Sequence, residues 1–150
     1  MQNQAVVMLI TAAISTFGFS ILFYVHPRRL LVATLGGVLT CGMYLLAGYL
    51  LGGELIPNML GALVGAGFSE IMARVTKAPV PVYMVPCVIT LVPGSKLYAT
   101  MFSIVTGDFE TAALVGMSTL EIALGIAGGI VIASVLGIML RSRRHSSPRH

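Results

Sequence analysis

From Leu30 to Gly53 the chain runs twenty-four residues without one charged side chain. An α-helix needs about 20 apolar residues to cross the hydrocarbon core of a bilayer, and this run exceeds that. Four other stretches have the same character. Residues 5–25 carry no charge; a third run begins after Pro57, a good first-turn residue, and reaches Arg74; a fourth covers 82–105 and a fifth 111–140. Composition agrees: charged residues are 9% of the chain and apolar ones 57%, with a mean hydropathy of +0.95. Nine basic and five acidic side chains cannot cover the surface of a 150-residue soluble fold. A water-soluble enzyme and a nucleic-acid binder are thereby excluded, despite a pI of 9.4. The expected fold is an all-α integral membrane protein with five transmembrane helices (5–25, 30–52, 57–74, 82–105 and 111–140) in one domain, 1–140, followed by a basic tail, 141–150.

The first run reads as a spanning helix and not as a signal peptide. Met1–Gln4 has no positive side chain, and the run ends at His26-Pro27-Arg28-Arg29 without a small-residue cleavage site. Lysine and arginine then set the orientation. Arg28 and Arg29 follow span one, Arg74 and Lys77 close span three, and Arg141, Arg143, Arg144 and Arg149 follow span five. With an odd count all eight lie on one side, which is expected to be cytoplasmic. The opposite loops hold Glu54 and Gly107-Asp108-Phe109-Glu110 with no basic residue, so the N-terminus is expected outside.

Cysteine and histidine give no metal or disulfide pattern. Cys41 and Cys87 sit apart inside apolar runs, and His26, His145 and His150 sit in basic segments. No cofactor or metal is expected. Enzyme activity is not expected either: HExxH, GxSxG and P-loop signatures are missing, and Asp108 is the sole aspartate.

Small residues and prolines mark where the helices do something besides span. Gly61 and Gly65 form GxxxG, and Gly125 and Gly129 repeat that spacing in span five; both are candidates for close helix packing. Pro79, Pro81, Pro86 and Pro93 fall within fifteen residues, and Pro93-Gly94 interrupts span four near its middle. Proline lacks an N–H and frees a carbonyl, which at a mid-membrane break leaves backbone groups for a ligand; a packed kink is the simpler alternative. Two ionisable residues lie inside spans, Lys96 just past the break and Glu121 about ten residues into span five. A charge there costs several kcal/mol unless paired, hydrated or neutralised. Lys96, with the amides that open the following half-helix, is a candidate site for a carboxylate. Glu121 either pairs with Lys96 or carries a proton. Glu70 and Arg74, four apart, are expected to pair at the interface.

The residues that carry a resemblance are Val85-Pro86-Cys87-Val88-Ile89-Thr90-Leu91-Val92-Pro93-Gly94 followed by Tyr98, with Phe17-Gly18-Phe19 to Arg29 and Leu63-Val64-Gly65 to Pro79. In this pattern the chain resembles the threonine/serine exporter family, specifically the small membrane component of its two-gene form. The resemblance lends support to Pro93, Gly94 and Tyr98 but not to Lys96 or Glu121, and Cys87 and Thr90 depart from the family's usual residues. It implies a secondary exporter of small polar metabolites, threonine and serine or a dicarboxylate such as succinate, driven by the proton gradient. It also implies a larger membrane partner of opposite topology in the cell's inner or plasma membrane. Two rivals stay open: a homo-oligomeric channel with glycine faces lining the pore, and a non-transporting assembly subunit.

Overall fold

The structure, a computed structural model, describes residues 2–23 and 25–145, with side chains described between 5 and 139. Its elements are helices throughout: α1 (Gln2–Leu22), α2 (Pro27–Leu51), α3 (Leu55–Thr76), α4 (Pro81–Val88) leading into a 3₁₀ turn (Ile89–Leu91), α5 (Gly94–Val105) and α6 (Phe109–His145). Among the described residues four helices are long and apolar enough to cross a membrane; α4 with its 3₁₀ turn and α5, bent by 54°, meet the same criterion only as a pair, which sets the count at four or five spans. The protein is an all-α, multi-pass membrane protein.

Local chemistry sets the ends. Pro27 opens α2, where its missing N–H costs nothing, and His26 Nδ1 accepts the Arg28 N–H at 3.5 Å. The helix therefore begins with the arginines inside its first turn, three residues before the uncharged run. Gly52 and Gly53 both have positive φ, 68° and 72°, and reverse the chain tightly into Glu54. Asp108 caps α6, its Oδ1 accepting the Thr111 N–H at 3.1 Å and its carbonyl the Ala112 N–H at 3.0 Å. At the far end α6 continues through His145, five residues past the expected span; residues 146–150 of the expected tail lie outside the described ones.

The interior is built from the smallest side chains. Ala33, Ala62, Ala66, Thr16, Ser20, Thr40 and Ser69 are buried, while leucines, isoleucines and valines crowd the exposed surface. That distribution inverts a soluble core and suits a lipid solvent. The buried hydroxyls bond back one turn, Thr16 to the Ala12 carbonyl and Ser69 to the Gly65 carbonyl, both at 2.7 Å, so among the described residues no buried side-chain donor is stranded. Helices then approach almost backbone to backbone. Gly61 and Gly65 of α3 face α2, where a Cβ on Gly65 would overlap Thr40 Oγ1. Gly125, Gly129 and Gly137 of α6 face α3, where added methyls would meet the Leu55 carbonyl, the Met59 carbonyl and the Glu70 carboxylate in turn. This register makes α6 run parallel to α3.

The molecule has two chemically distinct ends. Arg28, Arg29, Arg74 and Lys77 gather where α1 and α3 finish and α2 begins. There Arg29 donates to the Thr76 carbonyl at 2.9 Å, and Arg74 bonds both Glu70 Oε2 and the Gly137 carbonyl at 2.9 Å. Glu54 marks the opposite end, between α2 and α3.

Candidate functional site

The break in span four creates the site. Pro86 sits inside α4, so the Val82 carbonyl has no helical N–H four residues on. The helix tightens to 3₁₀ over Ile89–Leu91, Val92 is extended (ψ 125°), and Pro93 bridges to the first turn of α5. Leu91 is buried against Gly61, which anchors the near side of the break on α3. The amides of Ser95 and Lys96, in the first turn of α5, have no helical acceptor.

Beside this break, toward the Glu54 end, lies a cavity of about 260 Å³ whose polar lining comprises Tyr44, Glu54, Asn58, Thr90, Ser95 and Lys96. Lys96 Nζ donates to Glu54 Oε1 at 2.5 Å and to Ser118 Oγ at 2.7 Å. Both charged side chains are about one-third exposed, 33% and 35%, so they face the cavity and each other. Asn58, buried, donates to the Glu54 carbonyl at 2.7 Å and fixes the start of α3 beneath the pair. The wall thus offers one cation, one anion, hydroxyls and free first-turn amides within one small space.

The Lys96–Glu121 pairing considered from the sequence does not form. Lys96 reaches across to the α2–α3 turn because the Gly52-Gly53 reversal holds Glu54 beside α5, and Ser118 takes its remaining reach on α6. Glu121 points away on the exposed face of α6 and makes no hydrogen bond or ion pair among the described residues, although its neighbour Ile122 lines the cavity. Pro93 lines the cavity. Gly94 stands next to it with nothing within 4 Å of an added methyl. Tyr98 lies elsewhere: it is 70% exposed and stacks on Phe102, ring centroids 6.1 Å apart. Glu70 and Arg74 pair as their spacing indicates, beside an apolar groove of about 270 Å³ between α3 and α6 at the other end. Glu54, in the link between spans two and three, is the site residue that sequence reasoning misses. Its signal was available: it is the one charge in the link between spans two and three, on the side to which Lys96 tends.

Among the described residues no three potential metal ligands cluster. The site thus combines a broken span, a polar cavity at the break and an ion pair facing that cavity. Residues 8–136 match the family described as Threonine/Serine exporter, ThrE. The chain belongs to the threonine/serine exporter family. No curated protein and no solved structure matches it. Membership makes this a transporter of the threonine/serine exporter type, and the matched region takes in every residue of the cavity wall.

Proposed function

We propose that this exporter-family protein is one subunit of a two-component exporter and that the cavity beside Pro93-Gly94 is its substrate site. The Lys96–Glu54 pair facing that cavity carries the reading. A zwitterionic amino acid matches it group for group: its carboxylate takes Lys96 and the Ser95 and Lys96 amides, and its ammonium takes Glu54. Threonine or serine adds a hydroxyl for Asn58 or Thr90. A dicarboxylate suits the wall less well, because one cation meets two anions and Glu54 repels the second. The volume, about 260 Å³, falls just under the roughly 300–1,000 Å³ of drug-sized pockets, as a small metabolite requires.

The basic end faces the cytoplasm in this reading, by the positive-inside rule, and the cavity opens toward the outside of the cell's inner or plasma membrane. A larger subunit of the same family completes the path, and the proton gradient drives export. The glycine-lined homo-oligomeric channel loses support, since Gly61, Gly65, Gly125 and Gly129 face neighbouring helices of the same chain.

The test is efflux from cells lacking their own exporter, given this chain, a larger family member from the same genome, or both. Threonine, serine and succinate are followed in the medium. Threonine or serine efflux only with both chains, lost on Lys96→Gln and on Glu54→Gln with membrane insertion retained, is the expected result. Efflux unchanged in those two variants would rule out the cavity as the substrate site.

A further inference from the structure

The hairpin formed by α5 and the first half of α6 extends past the bundle of α1–α3. Gly125 of α6 abuts the Leu55 carbonyl at the very start of α3, and α6 continues unbroken back to Phe109. Those sixteen residues reach about 24 Å beyond the contact at 1.5 Å per residue. α5 folds back along them, Thr100 against Gly116 and Lys96 on Ser118. The bilayer cannot take in this whole length. The apolar stretch Phe109–Met139 has 31 residues, about 46 Å of helix against roughly 30 Å of hydrocarbon. Accommodating it by tilt needs about 50°. α3, packed alongside from Gly125 to Gly137, would tilt with it and its 22 residues would span only about 21 Å.

Large apolar side chains dominate the projecting surface. Tyr98, Met101, Val105, Phe109, Leu114 and Met117 are each between 64% and 84% exposed. Bare in water, such a surface is an interaction site. Its charges say what kind of partner it takes. Asp108, Glu110 and Glu121 are exposed on it, Glu54 lies at its base, and Lys96, the one basic side chain among the described residues at this end, is held by Glu54 and Ser118. The other described basic residues lie at the opposite end. A second copy in the same orientation would therefore set carboxylates against carboxylates.

We infer that the α5–α6 hairpin is the docking arm of this chain for a non-identical membrane protein, one that presents an apolar groove rimmed by lysine or arginine at the Glu54 end. This rests on the two-component reading and specifies where the larger subunit sits. Glu121 pairs with a partner cation, and the hairpin brings the partner to within one helical turn of the Lys96–Ser118 contact.

The experiment places single cysteines at Val105→Cys and Leu114→Cys, with Arg28→Cys as a control, and labels open membrane sheets with a membrane-impermeant maleimide. Cys41 and Cys87 are buried and give little background. With this chain alone, all three positions label; with the larger subunit co-expressed, labelling is lost at Val105→Cys and Leu114→Cys and kept at Arg28→Cys. Adding Glu110→Gln and Glu121→Gln restores it while the chain stays in the membrane. Disulfide-linked dimers of Val105→Cys in the chain alone would assign the arm to a second copy and overturn the inference. Failure of both hairpin positions to label in the chain alone would place the arm in lipid and overturn it too. Unchanged labelling alongside two-component efflux would overturn the docking arm and leave the exporter reading intact. Unchanged labelling with no efflux in any combination would remove both.

Discussion

Cutting the Lys96–Glu54 pair from its two sides has unequal costs, and the inequality follows from where each charge sits. Glu54→Gln leaves the Lys96 ammonium with Ser118 as its described acceptor and no counter-charge. Lys96→Gln leaves the Glu54 carboxylate at the N-cap of α3, where the helix dipole favours an anion by about 0.3–1 kcal/mol. Two unit charges 4 Å apart attract by about 4 kcal/mol at an effective dielectric of 20, before solvent screening is counted. Each side chain is about one-third exposed, so the pair lies between an exposed one, worth roughly 0–1 kcal/mol, and a buried one, which costs about 3–5 kcal/mol to break. A coupling of about 1–3 kcal/mol is expected, which is a factor of roughly 5 to 150 in the unfolding equilibrium. The assay is a double-mutant cycle on purified protein, with Glu54→Gln, Lys96→Gln and both together, unfolded in mixed micelles by rising dodecyl sulfate and followed by helical circular dichroism. Glu54→Gln should be the more damaging single change. A coupling under about 0.5 kcal/mol, the level at which independent sites simply add, would refute the pairing. A larger cost for Lys96→Gln than for Glu54→Gln would refute the inequality.

Gly129→Ala should destabilise by about 1–3 kcal/mol in the same assay, because its methyl overlaps the Met59 carbonyl and comes within 2.8 Å of Ala62 Cβ, forcing α6 away from α3. Gly67→Ala and Gly94→Ala meet nothing within 4 Å and should stay within about 0.5 kcal/mol of the parent; a Gly67→Ala cost equal to that of Gly129→Ala would show that the α3–α6 contact is not where the structure puts it. Pro93→Ala supplies an N–H within reach of the Ile89 carbonyl, which now takes the Val92 N–H at 3.3 Å; the helix should straighten, with export lost and membrane insertion kept. Wild-type efflux in that variant would falsify the importance of the bend. The Thr111 hydroxyl first, and then the Thr111 N–H, hold the Asp108 carboxyl below its ordinary value of 3.8. A folded-state value below the unfolded one means the capping contribution is fully present above 3.8 and fades as pH falls through the folded value. The Thr111 amide resonance should therefore shift in acid in the parent and stay still in Asp108→Asn.

Charge spacing and the uncharged runs made the all-α membrane class readable, because a bilayer demands long apolar helices whatever their neighbours are; the five expected spans correspond to four spanning helices and one bent pair. The Pro93-Gly94 interruption was equally plain, since proline acts on its own backbone. The partner of Lys96 was not. Glu54 and Lys96 are forty-two residues apart, and their meeting depends on how the Gly52-Gly53 reversal aims the start of α3 relative to a bend in another span. Sequence spacing constrains neighbours on one helix, as with Glu70 and Arg74, and says little about which turn meets which break. The projection of the hairpin was hidden for the same reason. The length of span five was legible, but the contact of Gly125 with the first residue of α3 is a matter of register between helices.

The arginines at the basic end have a consequence for how such a protein can change over evolution. Arg29 holds the last turn of α3 through the Thr76 carbonyl, and Arg74 holds α6 through the Gly137 carbonyl. On the proposed orientation, the side chains that bias insertion are thus also rivets between helices. Relocating them to invert the chain in the membrane would loosen the α2–α3 and α3–α6 joints in the same stroke. A chain whose orienting charges made no such contacts could shift them at no structural cost; here address and assembly are written in the same residues.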